Sequence, residues 1–287
     1  MRLLLFVFSF LLPEIAFAQE PVPGREAFAS EVDRRLEVPA AEQQRYARRL
    51  AAALAEAGVA APSVPIGEYF VLIDRSARVQ ALFLYWRSPE GTWQFIGAAP
   101  VSTGRPGEYE HFLTPLGVFE HTPANPDFRA EGTFNDLGIR GYGREGMRVF
   151  DFGWVSGVRT WDRDDLGRGP PRLGQLRLQM HATDPDYLEP LLGTRHSEGC
   201  IRIPATLDVF LDRHGILDAG YEQRARDGRD PRVLLEDREP TPTPGRWLVV
   251  VETQRGARPA WARPRQAAAP DRRRAPSTAT TSSSSTC

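Results

Sequence analysis

One histidine, His181, and one cysteine, Cys200, have sequence surroundings that suit nucleophilic catalysis. A cysteine attacks as the thiolate, and a nearby imidazole can take the thiol proton. Gly199 directly precedes the cysteine, where a missing side chain opens the approach and lets backbone N–H groups face a developing oxyanion. Arg202 follows, and its guanidinium suits bidentate binding of a carboxylate. These residues alone also allow a buried structural cysteine beside a surface histidine.

The elements that must position these residues are mainly strands. Runs rich in Val, Leu, Phe, Tyr and Trp, bounded by Gly, Pro, Asp or Ser, predict strands. We expect strands over residues 69–73, 79–86, 93–101, 117–121, 147–154, 176–181, 233–235 and 247–251. Asp184 opens a short predicted helix toward Gly193, and a second predicted helix runs from Pro204 to Gly215. The pattern predicts a mostly β domain over 62–254 with helices inserted late.

A helical segment, 19–61, precedes this domain. Tyr46, Leu50 and Leu54 recur at helical spacing, and Gly58 supplies a stop signal. The segment carries no recognisable chemistry, so we expect it to pack against the domain or to present a partner surface. A proline-containing linker at 61–65 separates it from the strands.

The chain ends in a segment, 255–287, that is rich in Arg and Pro and then in Ser and Thr. Its apolar content is too low to offset the entropy of ordering, so the composition predicts a disordered tail. Between Arg255 and Arg274 it has seven arginines and one aspartate. The tail is either a solvated linker or a segment attracted to anionic envelope polymers.

The amino terminus has the pattern of a secretory signal peptide over 1–18. Arg2 precedes an apolar run at 3–12, and Ala16 and Ala18 form a small-residue site for cleavage before Gln19. The run is too short for a permanent span, although a retained anchor is the alternative. We therefore expect export to the periplasm or cell envelope and no permanent membrane span.

The composition is that of a globular protein, with 41% hydrophobic and 25% charged residues, which excludes a collagen-like or wholly disordered chain. The net charge of −1 gives no general attraction to nucleic acid. All 36 basic residues are arginine, which we attribute to a GC-rich coding sequence. Two cysteines in an oxidising compartment raise the question of a disulfide. Because Cys287 ends the predicted disordered tail, we expect Cys200 to be unpaired.

Three motifs together resemble those of the L,D-transpeptidase (YkuD-type) catalytic domain. His181 is followed, after a gap of under twenty residues, by Ser-Glu-Gly-Cys-Ile-Arg at 197–202. The upstream runs Pro-Val-Ser-Thr-Gly-Arg at 100–105 and Thr-Pro-Leu-Gly-Val-Phe at 114–119 occur in the family's order. The resemblance extends from about 66 to 253. It implies a YkuD-like β-sandwich or open-barrel domain with inserted helices.

The resemblance also implies an activity. Cys200 matches the nucleophile, His181 the base that activates it, and Gly199 the place of the oxyanion hole. Such enzymes attack the amide between diaminopimelate and D-alanine in a peptidoglycan stem, and an amine then resolves the thioester. The product is a crosslink or an attached wall-anchored protein, and no metal or organic cofactor takes part. We expect Arg202, Ser197, Glu198 and Arg195 to bind substrate.

One position departs from the family pattern, because Glu198 stands where a histidine is usual. This puts the acyl-acceptor side in doubt more than the nucleophile. We expect Glu198 either to orient His181 or to bind the acceptor ammonium, with an ion pair to Arg195 or Arg202 as the structural alternative.

Several other functions are alternatives. A zinc site from His181, His196 and Cys200 lacks a fourth ligand and the usual short paired spacings. A catalytically silent wall-binding protein and an L,D-carboxypeptidase-like hydrolase would keep the same motifs. A sortase or a papain-like enzyme fits the motif surroundings or the order of His and Cys less well.

Overall fold

The computed structural model describes residues 24–59, 66–162, 169–229 and 232–263. The predicted signal peptide, the predicted linker at 61–65 and the chain beyond 263 lie outside the described residues. Within these four ranges, no helix is long and apolar enough to cross a membrane.

The described residues are mostly β, with two mixed sheets and four α-helices. The helices are α1 (Arg25–Glu31), α2 (Ala40–Glu56), α3 (Ala205–Arg213) and α4 (Ala219–Arg226). The strands are β1 (Glu68–Asp74), β2 (Ala81–Arg87), β3 (Trp93–Pro100), β4 (Phe112–Leu113), β5 (Gly117–Glu120), β6 (Phe128–Arg129), β7 (Arg148–Arg159), β8 (Arg172–Ala182), β9 (Ile201–Ile203) and β10 (Trp247–Val251). Short 3-10 helices cover Glu189–Leu191 and Ala260–Ala262.

The first sheet has the order β3-β2-β1-β10-β5, with β1 and β10 parallel and the other pairs antiparallel. Successive side chains of a strand point to opposite faces. Val71 and Ile73 enter the core between the two sheets, while Phe70 and Leu72 enter a second core on the outer face. Because both faces are covered, all seven residues of β1 are buried and the strand is a nearly continuous apolar run.

Helix α2 covers the outer face of the first sheet. Tyr46, Leu50 and Leu54, which are one helical turn apart, are its buried residues. The Tyr46 ring stacks on Phe83 with centroids 3.9 Å apart, and its hydroxyl donates to Asp74 at 2.7 Å. The expected packing role of the helical segment is confirmed, and α2 belongs to the same body as the strands.

The predicted disorder beyond 254 is wrong for 255–263, which is ordered against the outer core. Trp261 contacts the aromatic rings of that core edge-on. Arg255 forms an ion pair with Glu42 of α2. Arg258 donates hydrogen bonds to the backbone carbonyls of Ala262 and Ala77. Arg255 and Arg258, which were assigned to the tail, are therefore part of the fold. The composition did not predict this order, because it rests on one tryptophan whose contacts, Tyr46 and Phe83, lie far away in the sequence.

The second sheet has the order β4-β7-β8-β9, and β6 also pairs with β7. Its long antiparallel hairpin, β7–β8, is followed by the parallel pair β8–β9. Apolar residues of its inner face share one core with the first sheet and with α1 and α3, among them Phe150, Leu178, Met180, Ile201 and Leu207. The two sheets therefore pack face to face and leave the other face of β8 and β9 for polar residues.

The remaining predicted elements had mixed outcomes. The helix from Pro204 to Gly215 is confirmed as α3, and Gly215 has a positive φ of 55° just past its end. The predicted strand at 233–235 is wrong: the segment forms turns, and the Val233 carbonyl accepts a hydrogen bond from a side chain, Arg129. The predicted helix at 184–193 shortens to one 3-10 turn. Helix α4 carried no clear periodic signal.

Candidate active site

The parallel pairing of β8 with β9 places Arg202 beside His181, with Cys200 directly before β9. The register places His181 opposite Arg202 and Met180 opposite Ile201. Met180 and Ile201 point into the core between the sheets, so their neighbours point to the other face. His181, Arg202 and Cys200, which directly precedes β9, therefore share one face of the sheet.

The hydrogen bonds of His181 determine its tautomer. Its Nδ1 lies 2.8 Å from the backbone oxygen of Ala182. A carbonyl oxygen can only accept, so Nδ1 carries the proton and Nε2 carries a lone pair. Nε2 is buried and has no hydrogen-bond partner among the described residues. The imidazole is thus prepared to accept a proton at Nε2.

The surroundings of His181 keep it neutral. Burial and the nearby positive charge of Arg202 lower its pKa to about 3, and the hydrogen bond to Ala182 opposes this shift. Its ring packs edge-on against Tyr142, with centroids 4.7 Å apart. A neutral imidazole at physiological pH is the form that can act as a base.

Cys200 is disulfide-bonded, which overturns the expectation of an unpaired thiol. The sequence contains one further cysteine, Cys287, which lies outside the described residues. The Cys200 side chain is fully buried, and its Sγ lies 3.9 Å from the Arg177 carbonyl oxygen. The even number of cysteines is the sequence feature that allowed for this bond. Because the thiolate is the nucleophile, Cys200 requires reduction before it can attack.

Ser197 shapes the turn that carries Cys200. Its hydroxyl donates to the Cys200 carbonyl at 2.6 Å and accepts the Gly199 N–H at 3.3 Å. Ser197 is buried and stabilises this turn, and its expected contact with substrate stays a prediction. The Gly199 N–H, expected to face an oxyanion, is already used inside the turn.

Gly199 itself is required by the local backbone. Its φ of 144° lies in the region that L side chains rarely adopt. A Cβ there would come within 2.9 Å of Leu176 Cδ1 and 3.2 Å of Phe112 Cβ. Thr114 Oγ1 donates to the Gly199 carbonyl at 2.7 Å, which holds the turn from the other side.

The two upstream motifs support the cysteine turn. Ser102 and Arg202 exchange two backbone hydrogen bonds of 2.9 Å. The Gly104 N–H donates to Thr114 Oγ1 at 2.9 Å, and the same hydroxyl binds the carbonyl of Gly199. A Cβ on Gly104 would lie 1.9 Å from a backbone oxygen, so only glycine fits. The runs 100–105 and 114–119 are therefore the scaffold of the site.

A cleft of about 450 Å³ opens beside this sheet face. Its lining residues are Arg105, His111, Thr133, Phe134, Asn135, Leu137, Ile139, Arg140, Gly141, Tyr142, Leu188, His196, Glu198 and Arg202. Arg202 donates to the His196 carbonyl at 3.0 Å, while its Nε is buried without a partner among the described residues. Tyr142 and Arg202 thus connect the cleft to His181, which does not line it.

Glu198 lines the cleft. Burial raises its pKa, and the charges of His111 and Arg202 oppose that shift. It does not orient His181 through Nδ1, because that nitrogen already binds a backbone carbonyl. Glu198 does not pair with Arg195 either. The Arg195 guanidinium instead forms an ion pair with Glu252, with a nitrogen–oxygen distance of 2.6 Å. Arg195 is not among the residues that line the cleft, and its expected contact with substrate stays a prediction.

The zinc alternative finds no support in the geometry. Among the described residues, no group of three His, Cys, Asp or Glu side chains could hold a metal ion. His196 lines the cleft, whereas His181 lies behind Tyr142.

Residues without a motif also build the site. The Tyr142 hydroxyl lies 3.3 Å from Gln179 Oε1, and Gln179 Nε2 donates to Asp151 at 2.9 Å. Asp151 also accepts from Arg177 at 2.6 Å. No sequence signal indicated Tyr142, since a tyrosine between glycines resembles an ordinary loop.

No family model and no curated protein matches the chain. Among solved structures it is similar to the helical cell shape determining protein Pgp2 from Campylobacter jejuni, at 14% identity and a TM-score of 0.25. The match covers 72% of this chain and 56% of that chain. A variant of the same protein matches at 12% identity and a TM-score of 0.25, with the same coverage of both chains. At this TM-score the likeness carries no argument.

Proposed function

We propose that this chain is a cysteine peptidyltransferase of the L,D-transpeptidase (YkuD) type, acting on the peptide stems of peptidoglycan after export. The observation that carries the proposal is the state of His181, a buried neutral imidazole with an unpartnered Nε2 on the same sheet face as Cys200. The choice of peptidoglycan stems as substrate comes from the resemblance of the three sequence motifs to those of the L,D-transpeptidase family.

The reaction begins with reduced Cys200. His181 Nε2 takes the thiol proton, and the thiolate attacks the carbonyl carbon of the stem amide before D-alanine. The tetrahedral intermediate collapses to a thioester, and D-alanine leaves with the proton that His181 returns. An amine then attacks the thioester, gives its proton to His181 and displaces the thiolate. The new amide joins two stems or attaches a protein.

The cleft residues divide between the two substrates. Arg202 presents an unpartnered Nε beside the cleft and suits a carboxylate of the donor stem. Glu198 also lines the cleft, and its carboxylate suits the ammonium of the acceptor. Water in place of that amine would make the enzyme an L,D-carboxypeptidase.

The test uses the mature protein after reduction, incubated with purified muropeptides and, separately, with a thiol-reactive carbapenem. We expect new crosslinked or shortened stems, and a carbapenem adduct on Cys200 visible by mass. Cys200→Ala should abolish both. His181→Ala should slow acylation by at least about a hundredfold, the usual loss of a general base. His196→Ala, which changes a cleft histidine, is the matched control and should remain within a few fold.

Each outcome separates the alternatives. Turnover by Cys200→Ala above a tenth of the wild-type rate excludes the cysteine mechanism. Binding of muropeptides without any adduct on reduced Cys200 identifies a catalytically silent wall-binding protein. Shortened stems without crosslinks identify the hydrolase.

A further inference from the structure

The β7–β8 hairpin extends the sheet face of His181 beyond the candidate active site. Leu178 and Met180 of β8 point into the core between the sheets. Because successive side chains of a strand alternate, the other residues of β8 share the face of His181. These residues are Gln179, Arg177, Gln175 and Leu173. The face is therefore a continuous surface that leads from His181 toward the end of the hairpin.

A β-bulge in β7 places Trp154 on this surface. Asp151 pairs with Gln179 and Trp154 pairs with Arg177, so β7 has one more residue than β8 over this stretch. In a regular strand, position 154 would follow Phe152 into the core. The extra residue turns the tryptophan outward instead, and bulges commonly re-aim a side chain in this way.

The bulge depends on Gly153, and its result is an exposed indole. Gly153 has a φ of 83°, and a Cβ there would come within 2.7 Å of Asn125 Nδ2. Val155, the next residue after Trp154, packs against the core again. The Trp154 side chain is 65% exposed. A large aromatic side chain turned out of the core by a bulge indicates an interaction surface.

The neighbours of this indole are polar. Opposite it, Arg177 Nε donates to Asp151 at 2.6 Å. In the next cross-strand pair, Gln175 Nε2 donates to Ser156 Oγ at 2.9 Å, and both side chains are exposed. An entirely apolar partner would cover these polar groups without replacing their bonds to water. A sugar ring suits the surface better, because its C–H face can stack on an indole while its hydroxyl groups pair with amide and hydroxyl groups.

The separation of Trp154 from Cys200 matches the length of a peptide stem. Cys200 directly precedes β9, and its Sγ lies 3.9 Å from the Arg177 carbonyl oxygen. Trp154 lies on the opposite side of β8, so two strand spacings, about 10 Å, separate the two residues. A stem has three residues between its sugar and the attacked carbonyl, and an extended chain of that length spans about 10 Å. A stem bound at Cys200 thus reaches Trp154 with its sugar.

We propose that Trp154 is the platform of a sugar subsite, which binds the N-acetylated amino-sugar chain of the donor strand while its stem lies at Cys200. Ser156 and Gln175 bind hydroxyl or acetamido groups of the sugar beside the indole. The inference rests on the proposed function for the position of the stem, whereas binding of the sugar does not require catalysis. Stems attached to the glycan are then better donors than free peptides.

The first experiment compares two donors on the reduced mature protein, a free tetrapeptide and the same tetrapeptide attached to its disaccharide. We expect kcat/KM of the wild type to be at least about tenfold higher for the disaccharide donor, which corresponds to roughly 1.4 kcal/mol. Trp154→Ala should lose this preference, and Trp154→Phe should keep most of it. Val209→Ala, which truncates an apolar side chain 48% exposed on α3, is the control and should keep all of it.

Carbapenem acylation checks the fold of each variant, because that reagent carries no sugar and should react at the wild-type rate throughout. A second experiment titrates stem-free wall glycan into the reduced, ¹⁵N-labelled wild type. The indole N–H signal of Trp154, assigned from Trp154→Phe, should shift.

Three results would each overturn the proposal: equal kcat/KM of the wild type for both donors, a preference that survives Trp154→Ala, or an indole signal that the glycan does not move. Any of them would assign the exposed indole to another partner. A glycan-dependent shift of Trp154 in a protein that forms no carbapenem adduct and does not process muropeptides would refute the proposed function and leave the sugar subsite standing.

Discussion

The neutral state of His181 predicts a specific acid sensitivity of the fold. The pKa of His181 falls from 6.5 to about 3 on folding, chiefly through burial. Between these values the unfolded chain binds a proton at this residue and the folded chain does not. The stabilisation is therefore fully present above pH 6.5 and is lost as the pH falls toward 3.

The magnitude follows from the shift. Each pKa unit corresponds to about 1.4 kcal/mol, so lowering the pH from 7 to 4.5 should remove about 2–3 kcal/mol through His181 alone. Other groups also titrate in this range, among them Glu68, whose pKa burial raises to about 7. A direct comparison of two pH values would mix these contributions.

A double difference isolates the histidine. The wild type and His181→Gln, which fills a similar volume and does not titrate, are unfolded in urea at pH 7 and pH 4.5 with the same reductant. The free energy of unfolding of the wild type, relative to the variant, should fall by about 2–3 kcal/mol on acidification. A relative stability that stays constant within about 0.5 kcal/mol would show that His181 is not held neutral by burial, and the base assignment would lose its physical support.

Three further predictions concern the cleft and the carboxyl-terminal segment. Glu198→Gln should leave carbapenem acylation unchanged and slow transfer to an amine at least about tenfold, because a hydrogen bond to a charged group contributes roughly 1.5–3 kcal/mol. Wild-type rates of both acylation and transfer in the variant would show that Glu198 has no role in either step. In reductant, which removes any contribution of the Cys200 disulfide, deleting 254–287 should lower the melting temperature and deleting 264–287 should not, because only the longer deletion removes Trp261 from the outer core. The shorter deletion should weaken binding to isolated wall sacculi at low salt, where exposed charges act over about ten ångströms or more; unchanged binding would make the basic tail a linker.

The sequence by itself determined most of the local elements and singled out the candidate pair. The helical spacing of Tyr46, Leu50 and Leu54 located α2, and the run from Pro204 to Gly215 located α3. These features depend on neighbours within a few residues, where periodicity and stop signals are visible. The types and order of His181 and Cys200 likewise need only the chain.

Tertiary structure alone decided how these residues are used. The register of β8 against β9 put His181 opposite Arg202, and the Ala182 carbonyl selected its tautomer. Ser197 became part of a turn, and Arg195 found Glu252 on a distant strand end. Asp208 accepts the Arg148 N–H of β7 from a helix that follows the site in sequence. Such contacts join residues far apart in the chain, so the energy of each choice depends on the packed sheets and is absent from any local pattern.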